Sequence, residues 1–91
     1  QAQALPLLRY DRVRDLPRLI QVWPHEVASA DPLVHAHIVR KLAAALRAER
    51  QRGLVGHWTY DVARHSQLAA AYRTERHALD VSEAQRKRPH L

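Results

Sequence analysis

The sequence predicts an all-α fold: a small bundle of about three helices with an antiparallel helical hairpin at its centre. Three observations predict it. The chain is rich in alanine, leucine and arginine, all strong helix formers. No alternating β-branched run reads as a strand. The two glycines, Gly53 and Gly56, sit together between two stretches of helical periodicity. At 91 residues the chain has the length of one domain, and its thin core leaves room for partner contacts or self-association to add stability.

The N-terminal third is the least regular. Residues 1–14 read as an arm or short helix carrying Leu5, Leu7, Leu8, Tyr10 and Val13. Asp15 is a plausible cap for a helix over 15–23, with Pro17 in its first turn and Leu16, Leu19, Ile20 and Trp23 as its apolar face. Pro24 stops that helix or forces a new turn.

The central helix, 32–52, has the clearest boundaries. Asp31 suits the N-cap, Pro32 falls at the first helical position, and Gly53 suits the residue just past the end. Val34, Ile38, Leu42, Ala45 and Leu46 share one face, with Val39 at its margin. His35 and Glu49 fall on that same face, so the buried stripe is not purely hydrophobic.

The next helix reads as 59–79, with Thr59 as N-cap and a stripe of Val62, Leu68, Ala69, Tyr72 and Leu79. The intervening linker is short enough to fold the two helices back on each other. In that hairpin Glu49 would face His65, which suggests an interhelical carboxylate–histidine pair. Beyond Leu79 the apolar pattern fades, and 80–91 reads as a basic tail.

Composition narrows the function. With no cysteine there is neither a disulfide framework nor a thiolate metal site, which fits a reducing compartment. No apolar run reaches the ~20 residues of a membrane span, and the N-terminus lacks the basic region and following apolar stretch of a signal peptide, so a cytoplasmic protein is expected. Seven histidines invite a metal hypothesis, but His35 and His37 diverge on a helix, and no pair has the chelating spacing. Neither a metal nor a cofactor is expected. Ser29, Ser66 and Ser82 lie outside any nucleophile elbow, and there is no glycine-rich phosphate loop, so no enzyme is expected.

Fifteen Lys and Arg against nine Asp and Glu leave a formal net charge of +6. Such a surplus suits a polyanion, although GC-rich coding would also enrich arginine. The candidate nucleic-acid-binding residues are Arg40, Lys41, Arg47, Arg50, Arg52 and Arg64, together with Arg86, Lys87 and Arg88 of the tail. They would grip phosphates without reading sequence, since the linker is too long for a helix-turn-helix reader. Trp58 and Tyr60 beside the hairpin turn either stack on bases or belong to the core, and the core is the expectation for Trp58. The alternative is a protein–protein adaptor or small homo-oligomer that uses the apolar arm and Trp23.

Two stretches, Arg14-Asp15-Leu16-Pro17-Arg18-Leu19-Ile20 and Arg50-Gln51-Arg52-Gly53 through Tyr60-Asp61-Val62-Ala63-Arg64-His65, resemble a family of uncharacterised small alphaproteobacterial proteins. That family carries "R-D-L-P-R-L-L" and an "R-R-x-G" turn leading to "Y-S-V-A-R-H". The resemblance implies an all-helical bacterial protein and brings no activity or site. Trp58 and the C-terminal tail depart from the pattern.

Overall fold

The computed structural model describes residues 9–88. Among these residues the chain is all α-helical, with four helices in the order α1 (Arg12–Leu19), α2 (Pro24–Ala28), α3 (Pro32–Leu54) and α4 (Val62–Arg86). The packed pair is α3 with α4, and α1 lies across α4 and against α2. The core gathers Leu16 and Leu19 of α1, Val27 of α2, Ile38, Leu42 and Leu46 of α3, and Leu68 and Ala71 of α4. No helix among the described residues is long and apolar enough to cross a membrane. Leu5, Leu7 and Leu8 of the expected arm lie outside the described residues.

Each helix starts where a carboxylate accepts orphaned N–H groups. Asp31 accepts from Leu33 N–H at 2.9 Å, and Pro32 opens α3 as expected. For α1 the cap is Asp11, not Asp15. Asp11 accepts from Arg14 N–H at 2.8 Å, and the Asp15 carboxylate reaches back to Asp11 N–H at 2.8 Å. The reciprocal pair of acids moves the start three residues earlier and leaves Pro17 inside the helix, two residues from its end. Pro24 then opens α2.

Thr59 does not cap α4, because its hydroxyl sits 2.7 Å from His57 Nδ1 inside the turn. Asp61 caps instead, accepting from Ala63 N–H and Arg64 N–H at 2.9 and 3.2 Å. At its other end α4 continues past Leu79 to Arg86, so most of the expected tail is helix. Arg76 reaches Asp80 at 3.3 Å and Arg86 reaches Ser82 at 2.8 Å, side-chain pairs one turn apart that support those last turns.

The end of α3 also differs from the expectation. The helix runs through Gly53 to Leu54, and the left-handed residue is Gly56, at φ 66°. His57 N–H donates to Arg52 C=O at 2.8 Å and Gly56 N–H donates to Gly53 C=O at 3.2 Å, the paired bonds of a Schellman terminus. Gly53 is small for another reason. A Cβ there would lie 2.8 Å from Cε1 of Tyr60, whose ring packs over the helix backbone.

Candidate nucleic-acid interface

The hairpin buries a carboxylate near each end of its interface. Glu49 lies seven residues beyond Leu42 on α3, and Glu75 lies seven beyond Leu68 on α4, so each sits two turns from the apolar centre. Both are closed off from solvent, at 1% and 4% exposure. Burying a carboxylate is costly unless charge and hydrogen bonds compensate it. Those compensating partners decide which arginines remain free for a ligand.

Glu49 holds the turn. Its Oε2 accepts Asp61 N–H at 2.9 Å, which fixes the first residue of the α4 cap to α3. Its Oε1 accepts from Arg52 Nη2 at 2.7 Å, with Arg64 Nε at 3.6 Å. The Arg52 guanidinium and then the Asp61 N–H hold the Glu49 carboxyl below the usual glutamate range. The expected Glu49–His65 pair is not formed. His65 Nδ1 instead sits 2.9 Å from the Tyr60 hydroxyl. The Asp61 N–H lies at the mouth of α4 and takes the carboxylate oxygen that His65 would have needed.

Glu75 holds the opposite end. Tyr10 donates its hydroxyl to Oε2 at 2.7 Å. Arg12 Nε approaches the same oxygen at 3.2 Å, and His35 Nε2 lies 2.9 Å from Oε1, both outside hydrogen-bond geometry. Arg12 Nη1 also donates to Val27 C=O at 3.0 Å. Burial, and then the carboxylate that accepts its proton, push the Tyr10 hydroxyl well above the ordinary tyrosine range. A carboxylate–histidine bridge between the two long helices therefore exists, but it is Glu75–His35. Glu75 escaped the sequence reading, although its spacing from Leu68, Tyr72 and Leu79 puts it on the apolar face of α4 as plainly as Glu49 falls on that of α3.

The nine candidate basic residues separate into four groups. Arg52 and Arg64 are committed to Glu49, and Arg64 Nη2 also donates to Leu19 C=O at 2.9 Å. Lys41 donates to Gln21 C=O at 2.6 Å. Arg40, Arg47 and Arg50 are exposed on α3, with no ion pair among the described residues. Arg86 is tied to Ser82, while Lys87 and Arg88 are exposed at the end of α4. The antiparallel pairing puts that end far from the turn, so the nine do not converge on one site.

Of the two turn aromatics, Tyr60 packs inward and Trp58 does not. Tyr60 is half-buried over Gly53, its hydroxyl on His65. Trp58, expected in the core, is 88% exposed and stacks on His57 with ring centres 5.9 Å apart. The tight glycine terminus of α3 carries Trp58 beyond the reach of the hairpin core. Val62, expected in the α4 stripe, is exposed because the helix starts there, and Trp23 is exposed as the N-cap of α2.

Among the described residues no group of three or more histidine or acidic side chains converges as a metal site would require. A cleft of about 160 Å³ between α1 and α4 is lined by Tyr10, Arg14, Asp15, Arg18, Leu19, Gln67 and Ala70. It is smaller than the ~300–1,000 Å³ usual for small-molecule sites. Its Arg14 and Asp15 satisfy each other at 2.8 Å. Comparison with protein-family models, curated proteins and solved structures finds no match to this chain.

Proposed function

We propose that this chain is a non-enzymatic helical binding module that contacts nucleic acid through phosphates along the outer face of α3. One observation carries the reading. The sole acidic residue of this 23-residue helix, Glu49, is buried and neutralised inside, while Arg40, Arg47 and Arg50 stand in solvent. The outer face of α3 therefore carries only positive charge from this helix. From Arg40 to Arg50 the cations span about 15 Å at ~1.5 Å per residue. That length matches a few successive phosphates of a strand.

The test is binding to random single-stranded and duplex nucleic acid across a salt series. Three phosphate contacts predict a log–log slope of about −2 on single strands and nearer −3 on duplex. No detectable binding at ~50 mM salt would overturn the reading.

A second reading is favoured by a different observation. Trp23 is 69% exposed, and Val13 on α1 is exposed as well. Large apolar side chains in solvent suit a protein contact or a second copy of the chain. Light scattering tests this: self-association that Trp23→Ala abolishes would support it, and a monomer at all concentrations would remove the homo-oligomer.

A further inference from the structure

We infer that the hairpin turn is a base-stacking platform, so that the module prefers unpaired strands over duplex. The inference rests on the phosphate-binding reading of α3 and names the form of nucleic acid which that face takes.

Trp58 presents nearly its whole indole to solvent at the turn. It is not a loose side chain on a loose loop. Its neighbour His57 stacks against it at an interplanar angle of 22°. The imidazole is pinned from the other side, where Nδ1 accepts Thr59 N–H at 3.1 Å and lies 2.7 Å from the Thr59 hydroxyl. The backbone of His57 is anchored to Arg52 C=O. Two rings are thus set in place before any ligand arrives, which lowers the ordering cost of stacking a third.

The charge at this end suits a strand. Arg47 and Arg50 are exposed on α3 within two turns of its C-terminal end, which leads directly into the platform. The acids nearby are occupied: Glu49 is buried among Arg52, Arg64 and Asp61 N–H, and Asp61 is engaged in capping α4. An unpaired base has a free π-face for the indole, and its phosphate then lies toward the arginines. A base inside a duplex offers no such face, so duplex would gain only the phosphate contacts.

Binding should be measured at ~50 mM salt with a 12-nucleotide single strand, a duplex of equal length and inorganic polyphosphate, which has charge but no bases. Trp23→Phe makes Trp58 the only reporter of indole fluorescence. The strand is expected to bind tighter than the duplex and to quench Trp58, while polyphosphate binds without quenching. Trp58→Ala is expected to weaken strand binding about 5- to 150-fold, equivalent to about 1–3 kcal/mol, and to leave the duplex unchanged. Trp58→Phe keeps a stacking ring and recovers most of the loss.

Equal affinity for strand and duplex, or an unchanged affinity in Trp58→Ala, would overturn the stacking inference and leave phosphate binding standing. No binding of any of the three polyanions would overturn both. Self-association lost in Trp58→Ala, with strand affinity unaltered, would reassign the turn to a protein contact.

Discussion

The two long helices use nearly the same alphabet to different ends. Both are rich in alanine and arginine, and each buries one glutamate near an end of their shared interface. They differ in where the remaining acid goes. α3 has no other carboxylate, so its solvent face holds only cations. α4 carries Asp80 and Glu83 outside, paired with Arg76 at 3.3 Å and, more distantly, with Arg86 at 4.0 Å. Net charge alone would not separate the helices. The placement of single acids does: it leaves one face with cations alone and the other with ion pairs of both signs.

The buried glutamates extend the comparison. Glu75 draws on two distant pieces of chain, the N-terminal segment with Tyr10 and Arg12 and His35 of α3, whereas Glu49 is served by Arg52 of its own helix and by Asp61 N–H and Arg64 just past the adjacent turn. Glu75 therefore ties the N-terminal segment to the hairpin. Glu75→Ala should be the most damaging polar change, losing about 3–5 kcal/mol in a urea unfolding measurement because it removes the buried carboxylate that Tyr10, Arg12 and His35 share. A loss below about 1 kcal/mol would mean that Tyr10 and Arg12 do not depend on it.

The turn gives the next effects. Gly56→Ala puts a side chain on a left-handed residue and should cost about 1–2 kcal/mol, although the space around it is open. Gly53→Ala fails for the opposite reason, through collision with the Tyr60 ring. Overpacking of about 1–3 kcal/mol is offset by the ~1 kcal/mol that alanine gains within a helix. That penalty should vanish when Tyr60→Ala is combined with it, whereas the Gly56→Ala cost should remain. Thermal unfolding of the four variants checks both statements.

The smallest effect is in pH. The Glu49 carboxyl is held low in the folded chain, so it stays ionised on acidification after an unfolded glutamate has taken its proton. Its stabilisation is complete above the unfolded value of ~4.3 and is lost as the pH falls through the folded value. Asp15 and Glu26 are also held low, by Arg14 and by Trp23 N–H respectively, and add to the same acid limb. Glu49→Gln should make the unfolding midpoint fall less steeply below pH ~4 without abolishing the slope. An unchanged slope would mean that the Arg52 and Asp61 contacts do not persist in solution.

Much of the fold was legible because it depends on local chemistry. The Asp31-Pro32 start, the Ile38–Leu42–Leu46 stripe and the helix-breaking turn all follow from spacing and caps. The misplaced starts share one cause. Asp11 and Asp61 are carboxylates that outcompeted the neighbouring candidates Asp15 and Thr59, whose side chains the structure spends on other contacts. The polar core was half legible: the wheel put Glu49 on the buried face, but its partner is a backbone N–H, which no residue identity announces. Trp58 was misread because aromatic character alone favours burial, and only the Schellman geometry shows that the chain has already turned away from the core. Of the basic residues, sequence could not separate free arginines from those consumed by buried acids, because that depends on which helix faces pair.

On the proposed function, the location of the cations, not net charge, makes the α3 face a ligand surface. Arg47→Ala/Arg50→Ala and Arg73→Ala/Arg76→Ala each remove two positive charges from exposed helix positions, where alanine favours the helix. Their affinities for one single-stranded oligonucleotide, measured side by side at the same salt, give the most direct test. The α3 pair should lose about tenfold or more, as expected for two phosphate contacts, and the α4 pair should stay within about threefold of the parent. Equal losses in the two variants would contradict the account and reduce the basic surplus to bulk charge.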